Sequence, residues 1–229
     1  MQIIILAAGM GTRLNKDNPK SLTTLNNGES ILERQINSLL DYVDKENITI
    51  VVGYKKNIIQ EKYPDYCFVS NNEYKTTNTA KSLLCALNER NIESDIIWLN
   101  GDVVFDPQIL KNIFDSNKSS MLVNCESVGE EEVKYSIKND GSIDKVSKDI
   151  KNGLGEAVGI NKIVSSQIKE FRYQLDKCED NDYFERGIEF LINKDIKVYP
   201  IDISKYFCCE IDTQDDLDFV NNYLEKWKK

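Results

Sequence analysis

With 229 residues, 41% of them hydrophobic and 29% charged, the chain is long enough to bury one sizeable core, and two domains would be crowded within it. The formal charge of -9 argues against a nucleic-acid-binding surface but leaves room for a small anion in a local basic pocket. The absence of histidine removes every mechanism that needs imidazole as general base, nucleophile partner or metal ligand.

In chain order, the first apolar run, residues 3–6, has the Ile-rich character of a buried strand, and a loop of small residues follows it. Residues 31–42 place Ile31, Ile36, Leu39 and Leu40 on one helical face, with Ser30 and Glu33 as a capping box. Strands are expected at 48–52, 66–69, 96–99 and 121–123, with helices at 79–88 and 108–115 between them. Strand alternating with helix implies βαβ units, hence a Rossmann-like three-layer α/β/α fold around a mixed, mainly parallel sheet. The pattern changes at 132–148 to short alternating stretches around Asn139-Asp140-Gly141, a hairpin inserted over the sheet where an acceptor could be held. Strands at 158–160 and 198–201, an apolar helix at 188–192 and a final helix at 213–227 complete the series; the last carries Leu217, Val220 and Leu224 on one face.

The expectation is one domain over 1–229, with a nucleotide-binding half of about 1–125 and an acceptor-binding half of about 126–229. No charged leader with a cleavage site precedes the first strand, and no run approaches the ~20 apolar residues of a membrane helix, so a cytoplasmic chain without membrane insertion is expected. The six cysteines form no C-x-x-C pair and read as reduced, buried thiols.

The chemistry concentrates in a few places. Ala7, Ala8, Gly9 and Gly11 let backbone N–H groups approach phosphate oxygens, yet the third glycine of the dinucleotide fingerprint and the Gly-Lys-Ser/Thr of a P-loop are missing, so a plain tight turn accounts equally well for the loop alone. Asp102 follows an apolar strand and falls at the carboxyl edge of the sheet, where open α/β folds bind ligands. In Glu210-Ile211-Asp212-Thr213, either Asp212 or Thr213 could serve simply as a helix cap, and Glu210 is expected to face away from Asp212. Lys134 and Lys148 read equally as a solvated hairpin surface or as cations for an anionic group. Glu156, within a Gly-rich apolar strand, needs a partner, whereas Glu185 could be only an N-terminal helix charge.

The whole string Leu6-Ala7-Ala8-Gly9-Met10-Gly11-Thr12-Arg13-Leu14, followed by Pro19-Lys20, resembles the signature of the nucleotidyltransferases that build nucleotide-diphospho compounds. Asp102 and Asp212 follow in that family's order. The resemblance implies a loop wrapped around the triphosphate, with Leu6, Ala7, Ala8, Gly9, Met10, Gly11, Thr12 and Gly101 at the nucleotide. It implies Arg13 on the β/γ-phosphates, Lys20 at the α-phosphate, and Mg2+ held by Asp102 and Asp212. Residues 71–79 would then lie over the base. Asn78 and Thr79 fall where uridylyltransferases often carry Gly-Thr, and Asn78 departs from that pattern.

Glu131-Glu132-Val133-Lys134, residues 141–148 and Gly155-Glu156-Ala157-Val158-Gly159-Ile160 resemble cytidylyltransferases acting on phosphocholine, 2-aminoethylphosphonate and related compounds. That implies transfer of CMP from CTP to a small phosphorylated or phosphonate acceptor, of the phosphocholine, aminoethylphosphonate or phosphoglutamine type, for surface polysaccharide or capsule decoration. Lys134 and Lys148 would meet the acceptor phosphate, and Glu156 and Glu185 its cationic group. A sugar-1-phosphate nucleotidyltransferase using UTP, CTP or GTP is the enzymatic alternative, and a catalytically silent nucleotide-binding module the non-enzymatic one. Either way the partners are small molecules rather than nucleic acid, and the chain is a monomer or homodimer.

Overall fold

The computed structural model describes residues 1–14, 18–126 and 132–227. Four strands, β1 (Gln2–Ala7), β2 (Ile48–Val52), β3 (Cys67–Ser70) and β4 (Ile96–Asn100), pair in parallel in the order β3-β2-β1-β4. Their Val- and Ile-rich runs are covered on both faces. Side chains alternate along β1, so Ile3, Ile5 and Ala7 join one core and Ile4 and Leu6 the other.

The helices divide between these faces. α1 (Ile31–Leu39), α2 (Lys56–Lys62) and α4 (Gln108–Asp115) bury Leu32, Ile36, Ile59, Ile109 and Ile113 on the Ile3 side. α3 (Thr79–Glu89), α5 (Ser165–Asp176) and α6 (Phe184–Ile192) cover the Ile4 side. There Trp98 is fully buried, stacked on Phe171 at 5.1 Å and edge-on to Phe184 at 5.5 Å. Burying a side chain such as Phe171 contributes roughly 1.5–3 kcal/mol. Neither α2 nor α5 is evident in the sequence pattern, because α2 buries only Ile59 and polar residues separate the apolar contacts of α5.

Beyond β4, the short β5 (Val103–Phe105) leaves the main sheet and pairs antiparallel with β11 (Cys208–Glu210). β6 (Ser120–Asn124) and β4 flank β9 (Glu156–Ile163), which runs antiparallel to both, and β10 (Tyr199–Asp202) extends the sheet in parallel with β6. The sheet is therefore mixed and mainly parallel, as expected. β7 (Lys134–Ile137) and β8 (Ile143–Ser147) form the hairpin at the expected turn, where Gly141 takes φ 80°. It joins the sheet through the pair Lys134↔Glu156.

α7 (Gln214–Trp227) packs Val220 and Leu224 on Leu25, Val104 and Ile211, a third and smaller core. All six cysteines are free, but only Cys178 is buried and Cys125 is exposed; the expectation of burial throughout fails because Cys67, Cys208 and Cys209 lie on edge or two-stranded elements. Among the described residues no helix is long and apolar enough to cross a membrane.

Candidate active site

β1 and β4 are parallel neighbours, so both deliver their carboxyl ends to one edge, and a cleft of about 520 Å³ opens there. Leu6, Ala7, Gly9, Gly11, Thr12 and Gly101 line it. Ala8 and the half-buried Met10 do not; Ala8 is 4% exposed and its carbonyl accepts the N–H of Tyr54. Gly11 has φ 58°, and a Cβ there would stand 2.6 Å from the Cβ of Lys20. Only glycine lets the loop fold back onto that lysine. Gly101 is held as closely, donating its N–H to the Leu6 carbonyl at 2.9 Å, with 2.7 Å from that oxygen to any added Cβ.

The charged residues converge at this edge. Lys20, its side chain 11% exposed, donates to Asp102 Oδ2 at 2.7 Å and to Asp212 Oδ1, while Arg13 Nη2 pairs with Asp212 Oδ2 at 2.8 Å. Burial alone would depress the Lys20 ammonium, but Asp102 and Asp212 outweigh it and hold its pKa above the ordinary value. The distant Asp212 arrives through the β5–β11 pair, and the N–H of Ile211 donates to the Asp102 carbonyl at 3.0 Å.

Two open points about this segment are resolved. Thr213 caps α7: its Oγ1 accepts from the N–H of Asp216 at 3.3 Å, while Asp216 Oδ2 takes the N–H groups of Asp212 and Thr213. The Asp212 carboxylate is thus left for the cleft. Glu210, expected to face away, instead joins Asp102 and Asp212 in a group in which one carboxylate oxygen from each lies within 4.8 Å of the others. The expectation fails because residues two apart in an extended chain share a face. The charge of Asp102, followed by desolvation, pushes the Glu210 carboxyl well above the usual carboxylate range.

Asp102 Oδ1 is buried without a hydrogen-bond partner among the described residues. An orphaned carboxylate oxygen within a set of oxygen-only donors fits a hard divalent cation such as Mg2+.

Asn78 and Thr79, expected at the base, line the same cleft but also hold the fold together. Asn78 caps α3 by accepting from the N–H of Thr79 at 2.8 Å, and Thr79 Oγ1 accepts from the N–H of Phe184 at 3.0 Å, tying the start of α3 to that of α6.

Of the acceptor candidates, Lys148 and Glu185 line the cleft and Lys134 and Glu156 do not. The latter two sit opposite each other across β7 and β9, and strand alternation turns Ala157 and Gly159 into the cleft in their stead. Glu156 instead lies within electrostatic reach of Cys208 and Cys209. Glu131 lies outside the described residues. Lys148 Nζ stands 4.9 Å over the ring of Tyr183, and Glu185 is 8% exposed, its carboxyl raised to about 7 by desolvation against the opposing pull of Lys148. Nearby, Phe207 stacks on Tyr223 at 3.8 Å and Tyr206 packs against the Ile3-side core; neither lines the cleft.

Sequence reasoning missed Ser21 and Asn100, which line the cleft with Oγ and Oδ1 buried and without a partner among the described residues. The only signal was position: Ser21 follows Lys20 directly, and Asn100 stands two residues before Asp102.

A family model described as MobA-like NTP transferase domain matches residues 3–141. The 2-aminoethylphosphonate cytidylyltransferase of Lancefieldella rimae is 33% identical over 129 residues, 51% of this chain and 51% of that protein. The chain spans about half the length of the curated relatives it matches first. Among solved structures, the inositol-1-phosphate CTP transferase from T. maritima superposes with a TM-score of 0.83 at 19% identity, over 100% of this chain and 96% of that one. The CTP:phosphocholine cytidylyltransferase of Streptococcus pneumoniae superposes with a TM-score of 0.76 at 22% identity, over 97% and 98%. At these identities the likeness is one of fold.

Proposed function

The chain belongs to the family of MobA-like NTP transferase domains, and we propose that it acts as a cytoplasmic, Mg2+-dependent cytidylyltransferase. In this reading it transfers CMP from CTP to a small phosphorylated or phosphonate acceptor bearing a cationic group and releases pyrophosphate, supplying surface polysaccharide or capsule decoration. It works as one domain, with about 1–125 handling the nucleotide and about 126–229 the acceptor. The observation that carries the reading is the convergence of Arg13, Lys20, Asp102 and Asp212 on the cleft at the carboxyl ends of β1 and β4. A silent binding module has no need to hold two cations and an orphaned carboxylate oxygen in one place.

The chemistry asks little of the protein. The acceptor's phosphate oxygen is already anionic at neutral pH, so it attacks the α-phosphorus in line without a protein base, and pyrophosphate leaves opposite. Arg13 and Lys20 neutralise charge on the triphosphate, and the loop N–H groups orient it. Asp102 and Asp212, with Glu210 beside them, would hold Mg2+, which when bound supplies further charge neutralisation at the phosphates.

CTP is favoured by the identity with the aminoethylphosphonate enzyme, which falls on about half of the chain; Asn78, in place of the glycine common in uridylyltransferases, leaves the base open. A cationic acceptor is favoured by Glu185 beside Tyr183. A polyol or sugar phosphate is the second reading, supported by the fold likeness to the inositol-1-phosphate enzyme. Pyrophosphate release, measured for the four nucleoside triphosphates against choline phosphate, 2-aminoethylphosphonate, phosphoglutamine, inositol-1-phosphate and sugar-1-phosphates, decides between them. We expect turnover with CTP and an ammonium-bearing acceptor; turnover with polyol or sugar phosphates alone overturns the acceptor assignment.

A further inference from the structure

Lys148, just beyond β8, stands where two cavities meet. The active-site cleft and a second cavity of about 460 Å³ share Val133, Lys148, Tyr183 and Glu185 as a common wall. Tyr183 immediately precedes α6, and Glu185 lies in that helix's first turn, so one helix start presents both an aromatic face and a buried carboxyl to the same space. An aromatic face with a carboxylate nearby is the chemistry that recognises an ammonium or quaternary ammonium group. Here a cation of the chain itself already occupies it: Lys148 Nζ lies 4.9 Å from the centre of the Tyr183 ring.

We propose that Lys148 is a resident placeholder for the cationic group of the acceptor, displaced from Tyr183 when an ammonium-bearing acceptor binds and thereby released toward the acceptor's phosphate or phosphonate. The proposal rests on the phospho-acceptor reading above and deepens it.

Two cations cannot share one ring face beside one carboxylate without strong repulsion, so binding of the substrate ammonium and the present position of Lys148 exclude each other. A lysine suits this exchange, because its charge is compact and its stem has four flexible carbons. What Lys148 loses at Tyr183 it regains as an ion pair with the acceptor's anionic end. A neutral acceptor does not dislodge it, and the phosphate end of such a ligand then lacks a partner; selectivity arises from competition as much as from attraction.

The second cavity also favours cations. Of its basic residues besides Lys148, Lys177 already lies 4.2 Å over the Tyr173 ring and Arg186 is paired with Glu189, whereas Asp149, Glu179 and Asp182 add negative charge.

Choline without a phosphate isolates the cation subsite, and isothermal titration measures its binding without CTP or turnover. We expect Lys148→Met to bind choline roughly fivefold more tightly than the unsubstituted chain, since a cation–π contact of this kind is given up on displacement. Lys148→Arg, which keeps a cation, should stay near the original affinity, and Tyr183→Leu should weaken choline in both the original and the Lys148→Met background. Equal or weaker choline binding by Lys148→Met, or no detectable binding by either protein, overturns the proposal. Absence of CTP turnover with every acceptor would instead sink the cytidylyltransferase reading and leave the titration result standing.

Discussion

The two ends of the cleft are built on different principles. At the end proposed for the nucleotide, Arg13, Lys20, Asp102 and Asp212 restrain one another through ion pairs, Gly11 lets the loop after β1 close on Lys20, and Gly101 brings the end of β4 against Leu6 and Ala7 of β1. At the other end, Lys148, Tyr183 and Glu185 sit on the end of a hairpin and the first turn of a helix, and Tyr183 is 45% exposed. In the proposed reading, chemistry common to every triphosphate is anchored in the centre of the sheet, where movement would disturb both cores. Recognition of one acceptor among many would then fall to the periphery, where segments can change at little cost to the fold.

The largest expected effect lies at the rigid end. Lys20→Ala should lower kcat by roughly 10²–10³-fold, the range for loss of one preorganised charge-stabilising group. It also leaves Asp102, Glu210 and Asp212 without their buried counter-charge, so Mg2+ should raise the melting temperature of this variant more than that of the unsubstituted chain. Turnover within a factor of two of the original would erase the proposed contrast between the two ends.

An intermediate effect is expected from Glu185. Burial raises its carboxyl from 4.5 to about 7, so between those values the folded chain holds a proton that the unfolded chain has lost. Stability should therefore fall as pH climbs through that window, and Glu185→Gln should flatten this part of the profile in urea unfolding. Affinity for an ammonium-bearing acceptor should rise as pH passes through about 7, where the carboxyl of the folded chain ionises, and should lose that pH dependence in the glutamine variant. A pH-independent affinity in the original chain would remove Glu185 from the subsite.

The smallest effect concerns the cap that leaves Asp212 free. Thr213→Ala should cost about 1 kcal/mol of stability in denaturant unfolding, typical of a lost N-cap, with the acceptor KM unchanged. A fall in kcat as well would mean that the cap also positions Asp212, sharpening the account of the rigid end.

How much was legible beforehand follows the same division. The glycine loop and the Asp at the end of an apolar strand are local patterns, and the structure brings them to one edge. Ala8 and Met10 fell outside the lining because alternating side chains and turn geometry expose only part of a continuous motif. Lys134 reads in sequence as a hairpin cation and Glu156 as a carboxylate in a Gly-rich strand, yet a single strand register sets them against each other and away from the cleft. Tyr183 carries no local mark of facing a lysine 35 positions earlier, because an aromatic residue before a helix looks the same in sequence wherever its ring packs.

By itself the sequence determined the α/β alternation, the phosphate-type loop and the identity of the charged groups, because strand burial, helix periodicity and glycine-dependent turns are encoded over a few neighbouring residues. Only the tertiary structure decided that Asp212 is a cleft residue rather than a cap, that Glu210 shares its face, and that Lys148, Tyr183 and Glu185 meet between two cavities. Those relations depend on the β5–β11 pairing and on the packing of the hairpin near α6, contacts between segments far apart in sequence, which no local pattern records.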